Sequence, residues 1–313
     1  MKIHFLGAGA LGCAIGGTLA AAGSEVTLID PFQAHVDAIE RDGLRVQGGQ
    51  GEPERTVRVA AATGVAGLPP ADLVIVLVKS FHTRSAIEGA RSIVGPDTVV
   101  MSLQNGMGHE EILAEVVGRE HVLAGKTYVG GVLLGPGRII AGTRGKRTVV
   151  GELDGSVSER ATAIAAEFER AELPCEVSDN ILGVMWDKLL INVATGALSG
   201  ITGQTYGSLY AVPEIEATAI AAVAEAMAVA RAAGVTLSIR EPRDAWRMAA
   251  EGLPAGFKTS MLQSLEKGSA TEVDYINGAV VRAGHKHGVP TPVNRTLVAA
   301  IRGIERRMEE SRT

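Results

Sequence analysis

Residues 1–30 read MKIHFLGAGALGCAIGGTLAAAGSEVTLID, and this stretch decides the fold. Ile3 to Leu6 is a short apolar run, the pattern of a buried strand. It enters a loop in which Gly7, Gly9 and Gly12 give the spacing G-x-G-x-x-G. Ala10 to Ala22 reads as a helix closed by Gly23, and Val26 to Ile29 as a second strand ending at Asp30-Pro31. In such a turn the first glycine permits the tight bend, and the second lets backbone approach a pyrophosphate. The third lets helix and strand pack closely. The helix N-terminus then favours the phosphate charge. The loop residues Gly7, Gly9, Ala10, Leu11 and Gly12 are therefore the expected contacts of a dinucleotide cofactor. Lys2 with the apolar run and TLAAAG also mimics a signal peptide, but the same residues make a better strand, turn and helix.

Outward from this start the alternation continues. A helix from about Gln33 to Arg41 stops at Gly43. DLVIVLV (Asp72 to Val78) is a fully apolar strand of the kind covered on both faces, and TVVMSL (Thr98 to Leu103) is another. A helix from Gly108 to Val117 follows. This order predicts an α/β domain with a doubly wound sheet of the Rossmann type. From Val122 to Val150 the chain is rich in glycine and β-branched residues, which suggests extra strands joined by turns. Glu159 to Ala171 reads as a last helix and PCEVS as a last strand. After Asn180 the periodicity is almost wholly helical. The boundary is placed near Asp179, giving a dinucleotide-binding domain over 1–179 and an all-helical substrate domain over 180–313. No internal repeat or low-complexity segment is visible.

The 313 residues suit two domains of ordinary size, and 46% hydrophobic content suits packed cores. The net charge is −5 and no basic stripe stands out, so nucleic acid is not an expected partner. Cys13 and Cys175 have neither CxxC spacing nor nearby histidines, which fits a reducing cytoplasm and no metal. The alanine-rich stretch from Ile215 to Ala233 is interrupted by Glu216, Glu225 and Arg231, so no membrane span is expected.

Two features carry chemistry. Asp30 ends the second strand, 18 residues after Gly12, where a carboxylate can accept from ribose hydroxyls and would repel a 2′-phosphate. Pro31 and Phe32 follow it, with no basic residue, so NAD(H) is favoured and NADP(H) is not excluded. The bland alternative is that Asp30 only starts the turn before Pro31. In WDKLLIN, Lys188 and Asn192 are four apart and share one helix face. Lys188 could act as general acid toward a carbonyl oxygen, with Asn192 hydrogen-bonding the same small molecule. The alternative is a surface lysine whose stem covers apolar neighbours.

Glu272 could orient Lys188 or bind a substrate hydroxyl. Ser269-Ala-Thr-Glu272 also reads as a capping box, in which Glu272 would close a helix N-terminus. Ser260 in KTSMLQ could donate to a carboxylate or cap a helix. Asn105 in QNGMG follows the strand ending at Leu103, at the edge where open α/β sheets bind ligands, though Asn-Gly is also a common turn. Lys79 ends DLVIVLV in the same layer and could reach the cofactor or lie at the rim. His285 and His287 flank Lys286 near a helix end and read as C-terminal helix charges.

These residues resemble the ketopantoate reductase (2-dehydropantoate 2-reductase) family nearly end to end. The resemblance rests on GAGALG, on VKS at Val78 to Ser80, on QNGMG and on WDKLLIN. It rests most on the long block TSMLQSLEKGSATEVDYINGAVVRAGHKHGVPTPVN, Thr259 to Asn294. It implies a Rossmann-type domain followed by a helical domain similar to those of 6-phosphogluconate dehydrogenase relatives. It also implies a small 2-oxo acid substrate and permits a homodimer. It carries Lys188 over as general acid. It puts Glu272, Asn192 and Ser260 on substrate-contacting positions, and Asn105 and Lys79 on the cofactor and substrate side. The chain departs from the pathway enzymes at Gly196, where these often have an asparagine, at Phe257, where some place another, and at Asp30-Pro31, where NADPH users usually have a basic residue. A paralogue acting on another 2-oxo acid, or a non-catalytic dinucleotide-binding sensor, are the competing readings.

Overall fold

The computed structural model describes residues 1–49 and 51–311. In chain order they form β1 (Lys2–Leu6), α1 (Ala10–Ala21), β2 (Glu25–Ile29), α2 (Gln33–Asp42), β3 (Leu44–Gln47), β4 (Glu54–Val57), β5 (Ala60–Ala62) and β6 (Leu73–Val76). Next come α3 (Thr83–Gly89), β7 (Val99–Ser102), α4 (His109–Val117), β8 (Val122–Thr127), β9 (Gly130–Gly135), β10 (Arg138–Gly142) and β11 (Thr148–Gly151). α5 (Glu159–Arg170) and β12 (Cys175–Val177) close this part. The rest is helical: α6 (Ile181–Thr202), α7 (Tyr206–Leu209), α8 (Pro213–Ala232), α9 (Pro242–Ala250), α10 (Ser260–Glu266), α11 (Asn277–His287) and α12 (Pro292–Glu310).

Two compact units result. One holds Met1–Gln104 and His109–Ile181; the other holds Asn105–Gly108 with the chain from Leu182 onward. The first unit is built on an eight-stranded sheet ordered β12-β11-β8-β7-β6-β1-β2-β5. From β8 to β5 the strands are parallel, as their apolar runs require: both faces are covered. β11 pairs antiparallel to β8 and parallel to β12. The strand order reverses between β1 and β6, so the carboxyl ends of these two strands open the crevice where such sheets take ligands.

A second sheet, β4-β3-β10-β9, was not anticipated for residues 44–57. Its key pairing is nonlocal: β10 lies parallel to β3, with Arg138 opposite Arg45 and Ile139 opposite Val46. This sheet explains α1. The helix ALGCAIGGTLAA is apolar almost all round, which suits burial on more than one side. It packs on the main sheet and also on β9 and β10. The first unit's core, around Phe5, Ile15, Leu28 and Ile139, runs through that sandwich.

The helical unit has one core that joins α6, α8, α11 and α12 through Leu190, Val193, Val223, Val280 and Ile301. By length and composition α6 could cross a membrane, which the sequence reading passed over, but 72% of its most apolar window is buried inside the protein. Its hydropathy is that of a core helix. Asn294 ties three helices: its Nδ2 donates to Ala222 O and Glu225, and its Oδ1 accepts from Asn277.

Candidate active site

In the glycine loop the three glycines serve different ends. Gly7 has φ +104°, and a Cβ there would stand 2.7 Å from the Leu77 carbonyl carbon and the Val78 nitrogen. At Gly12 a Cβ would lie 2.1 Å from Gly7 O. The protein itself demands both. At Gly9 a Cβ would meet nothing within 4 Å. Gly9 is also the N-cap of α1 and offers no side-chain cap to its first-turn N–H groups. Ala10 and Leu11 form that first turn. An open Gly9 over uncapped helix N–H groups fits an anionic pyrophosphate.

Asp30 takes the turn role expected of it and also braces the glycine loop. Its Oδ1 accepts from Phe32 N–H at 3.0 Å, which builds the turn, and its Oδ2 accepts from Ala8 N–H at 3.1 Å, inside the glycine loop. Each oxygen can accept a further hydrogen bond. A buried chain backs the loop from behind. Gly137 N–H donates to His35 Nδ1 at 3.0 Å, which leaves the proton on Nε2, 3.5 Å from Cys13 Sγ. Cys13 donates in turn to Ala8 O at 3.0 Å. Burial, and then the Asp30 charge, push the Cys13 thiol up to about 12. Sequence spacing gives no hint of this chain, because its members are distant in sequence.

Lys79 follows β6, is exposed, and precedes the single 310 turn Ser80–His82. Beneath it lies a polar layer that sequence reading missed. Gln104 Nε2 donates to Val78 O at 2.7 Å and to Thr83 Oγ1 at 2.9 Å, and Ser102 Oγ donates to its Oε1 at 3.0 Å. His109 Nε2 lies 2.9 Å from Ser80 Oγ.

In the helical unit, every residue of α6 from Gly183 to Gly200 is buried except Val184, Lys188, Ile191 and Asn192. Lys188 and Asn192 thus lie on the one stripe of this stretch that the core does not seal. The turn that carries Lys188 is pinned from its other side. Asp187 accepts from Ser238 N–H at 3.0 Å, Ser238 Oγ at 2.6 Å and Ile239 N–H at 3.1 Å. Along the same face, a Cβ at Gly196 would meet only Met261 Cε, at 3.5 Å. Phe257 packs on Tyr206, with ring centroids 5.1 Å apart.

Ser260 does not cap α10. Thr259 is the N-cap, its Oγ1 accepting from Leu262 N–H at 3.2 Å, and Ser260 is exposed on the first turn. The capping box read at Ser269–Glu272 does not form either. Ser269 N–H is used to close α10, donating to Ser264 O while Gly268 N–H donates to Leu265 O. Glu272 instead precedes the 310 turn Val273–Tyr275 and makes no side-chain cap bond. That turn seats the Asn105 loop: Met107 N–H donates to Tyr275 O at 2.9 Å, and a Cβ on Gly106 would lie 2.4 Å from the same oxygen. Asn105 and Glu272 therefore stand on adjoining segments, with Asn105 half-buried. His285 and His287 are exposed in the last turn of α11, the helix end that favours basic side chains. Among the described residues no group of three or more His, Cys, Asp or Glu could hold a metal ion.

The family model described as ketopantoate reductase PanE/ApbA matches residues 3–155, and that described as its C-terminal part matches residues 180–305. A curated 2-dehydropantoate 2-reductase of Halobacterium salinarum is 34% identical over 98% of this chain and 99% of its own. Another from Pyrococcus horikoshii is 34% identical over 97% and 98%. The solved ketopantoate reductase from Ralstonia eutropha aligns with TM-score 0.89 at 38% identity, covering 99% of this chain and 100% of that one. A D-mandelate dehydrogenase solved with NADH and anilino(oxo)acetate aligns with TM-score 0.90 at 27% identity, over 99% and 100%.

Proposed function

The chain belongs to the ketopantoate reductase family, and we propose that it reduces a 2-oxo acid to the 2-hydroxy acid, with ketopantoate (2-dehydropantoate) as the leading substrate. As a member it is an NAD(P)-dependent oxidoreductase of the kind that serves pantothenate biosynthesis. The observation that carries the reading is the half-buried stripe on α6, which presents Lys188 and Asn192 together from a helix otherwise sealed in the core.

A bound nicotinamide supplies the hydride to the carbonyl carbon; the open Gly9, the α1 N-terminus and Asp30 would hold the rest of the dinucleotide. As charge grows on the carbonyl oxygen, the Lys188 ammonium holds it and delivers the proton. The neutral amine left behind regains a proton from solvent. Asn192, one turn along, hydrogen-bonds the substrate without adding charge. Glu272 orients the ammonium or accepts from a substrate hydroxyl, and the exposed Ser260 hydroxyl donates to the substrate carboxylate. Asn105 and Lys79 contact cofactor and substrate. The fixed Asp30 carboxylate favours NADH, because a 2′-phosphate would meet its charge.

A second reading is favoured by Gly196. The face that continues from Lys188 and Asn192 ends on Met261 where an amide would serve a polar substrate, which suits a 2-oxo acid with a bulkier apolar side chain. The similarity to a D-mandelate dehydrogenase agrees with it. One experiment separates the readings: oxidation of NADH and, separately, NADPH with ketopantoate, pyruvate and phenylglyoxylate. Highest kcat/KM with ketopantoate supports the first reading, and preference for phenylglyoxylate supports the second. No turnover with any 2-oxo acid overturns both and leaves a dinucleotide-binding sensor.

A further inference from the structure

The sheet-bearing unit holds an ion pair that the reaction does not use. Lys126 on β8 is 1% exposed and Glu110 in the first turn of α4 is 2% exposed. Lys126 Nζ lies 3.8 Å from Glu110 Oε1, too far for a hydrogen bond, and neither Glu110 oxygen has a hydrogen-bond partner among the described residues. Burial pushes the Glu110 carboxyl up and Lys126 pulls it back. A buried pair this poorly hydrogen-bonded is a weak stabiliser, and apolar residues of similar volume often serve a core as well or better. Its presence calls for another reason.

The reason is the ammonium's hydrogen bond. Lys126 Nζ donates to the main-chain carbonyl of Gln104 at 3.1 Å. That carbonyl belongs to the peptide that leads into Asn105. The side chain of the same glutamine holds the carbonyl of Val78, the residue before Lys79, at 2.7 Å. Gln104 is 3% exposed and its amide is bonded on both sides, to Val78 and Thr83 as donor and to Ser102 as acceptor. One residue thus locks the exits of β6 and β7, and a buried cation locks that residue.

We propose that Lys126, balanced by Glu110, acts with Gln104 as a positioning device that sets Asn105 and Lys79 for the dinucleotide and the 2-oxo acid. None of the three touches a reacting atom. The proposal rests on the reductase reading of Asn105 and Lys79.

The test is Lys126→Met with Glu110→Leu, which removes both charges and keeps the volume. A purely structural pair leaves this variant with wild-type kinetics and a Tm at or above wild type. A positioning pair leaves Tm unchanged or higher while Kd and KM for the dinucleotide rise about tenfold or more, because small misplacements of binding groups cost that much. Wild-type Kd and KM in a folded double variant overturn the proposal. Should that variant not fold, Gln104→Met keeps the ion pair and removes the amide; the same rise is expected, and an unchanged Kd overturns the proposal. Kd is measured by calorimetry with NADH and NADPH, without turnover. Failure of the wild type to reduce any 2-oxo acid therefore counts against the reductase reading alone.

Discussion

The glycine loop between β1 and α1 is shaped by what its residues lack, whereas the stripe on α6 is set apart by what two residues carry. At Gly12 a single added carbon would sit 2.1 Å from Gly7 O, so the loop's shape is dictated within a few residues of itself. At Lys188 the backbone is ordinary helix, and the side chain acquires meaning only because the surrounding core leaves that face half open. A site made of backbone is specified locally; a site made of side chains on a regular element is specified by everything packed around the element.

The sharpest break of this contrast is Lys188→Ala. Kcat should fall ~10²-fold or more, the scale for losing a general acid. Thermal stability should hold, since Lys188 is only half-buried. Wild-type turnover would remove Lys188 from the mechanism. A pair of loop variants follows in size. Gly12→Ala must push into Gly7 O and is expected to lower Tm and weaken dinucleotide binding together. Gly9→Ala meets no protein atom within 4 Å, and Gly9 has φ −66°, which alanine adopts freely. It should keep Tm while weakening NADH binding about tenfold, as backbone approach to the pyrophosphate is blocked. Equal losses of Tm in the two variants would dissolve the distinction between fold glycines and ligand glycines. The smallest effect is expected from Asp30→Ser with Pro31→Arg. The NADH to NADPH ratio of kcat/KM should shift toward NADPH by a few fold, partly offset because Asp30 also braces Ala8 and Phe32. An unchanged ratio would count against Asp30 as the ribose partner.

The same contrast explains what could be read in advance. β1, β2, β6 and β7 announce themselves as apolar runs, and the helical half by its periodicity, because those signals are local. The second sheet does not announce itself. The stretch from Val122 to Val150 does suggest strands, but β3 finds its parallel partner β10 about ninety residues later, and nothing local marks β3 and β4 or that pairing. The capping box at Ser269 failed for a similar reason: its serine was already committed to the end of α10, a use invisible to a four-residue pattern. Lys126, Glu110 and Gln104 stand 22 residues or fewer apart, yet nothing in their spacing marks them. Only the folding of β7, α4 and β8 into one layer brings them together.

Cys13 and Cys175 are the two cysteines of the chain, and both lie in the sheet-bearing unit. Their thiols are each pushed up to about 12, first by burial. At neutral pH both therefore stay thiols rather than thiolates, the form that alkylating reagents attack. Labelling then proceeds only when the sheet-bearing unit opens and each sulfur meets water. The helical unit contributes no thiol, so the protein carries its own clock for the breathing of one half, readable while the other half stays silent.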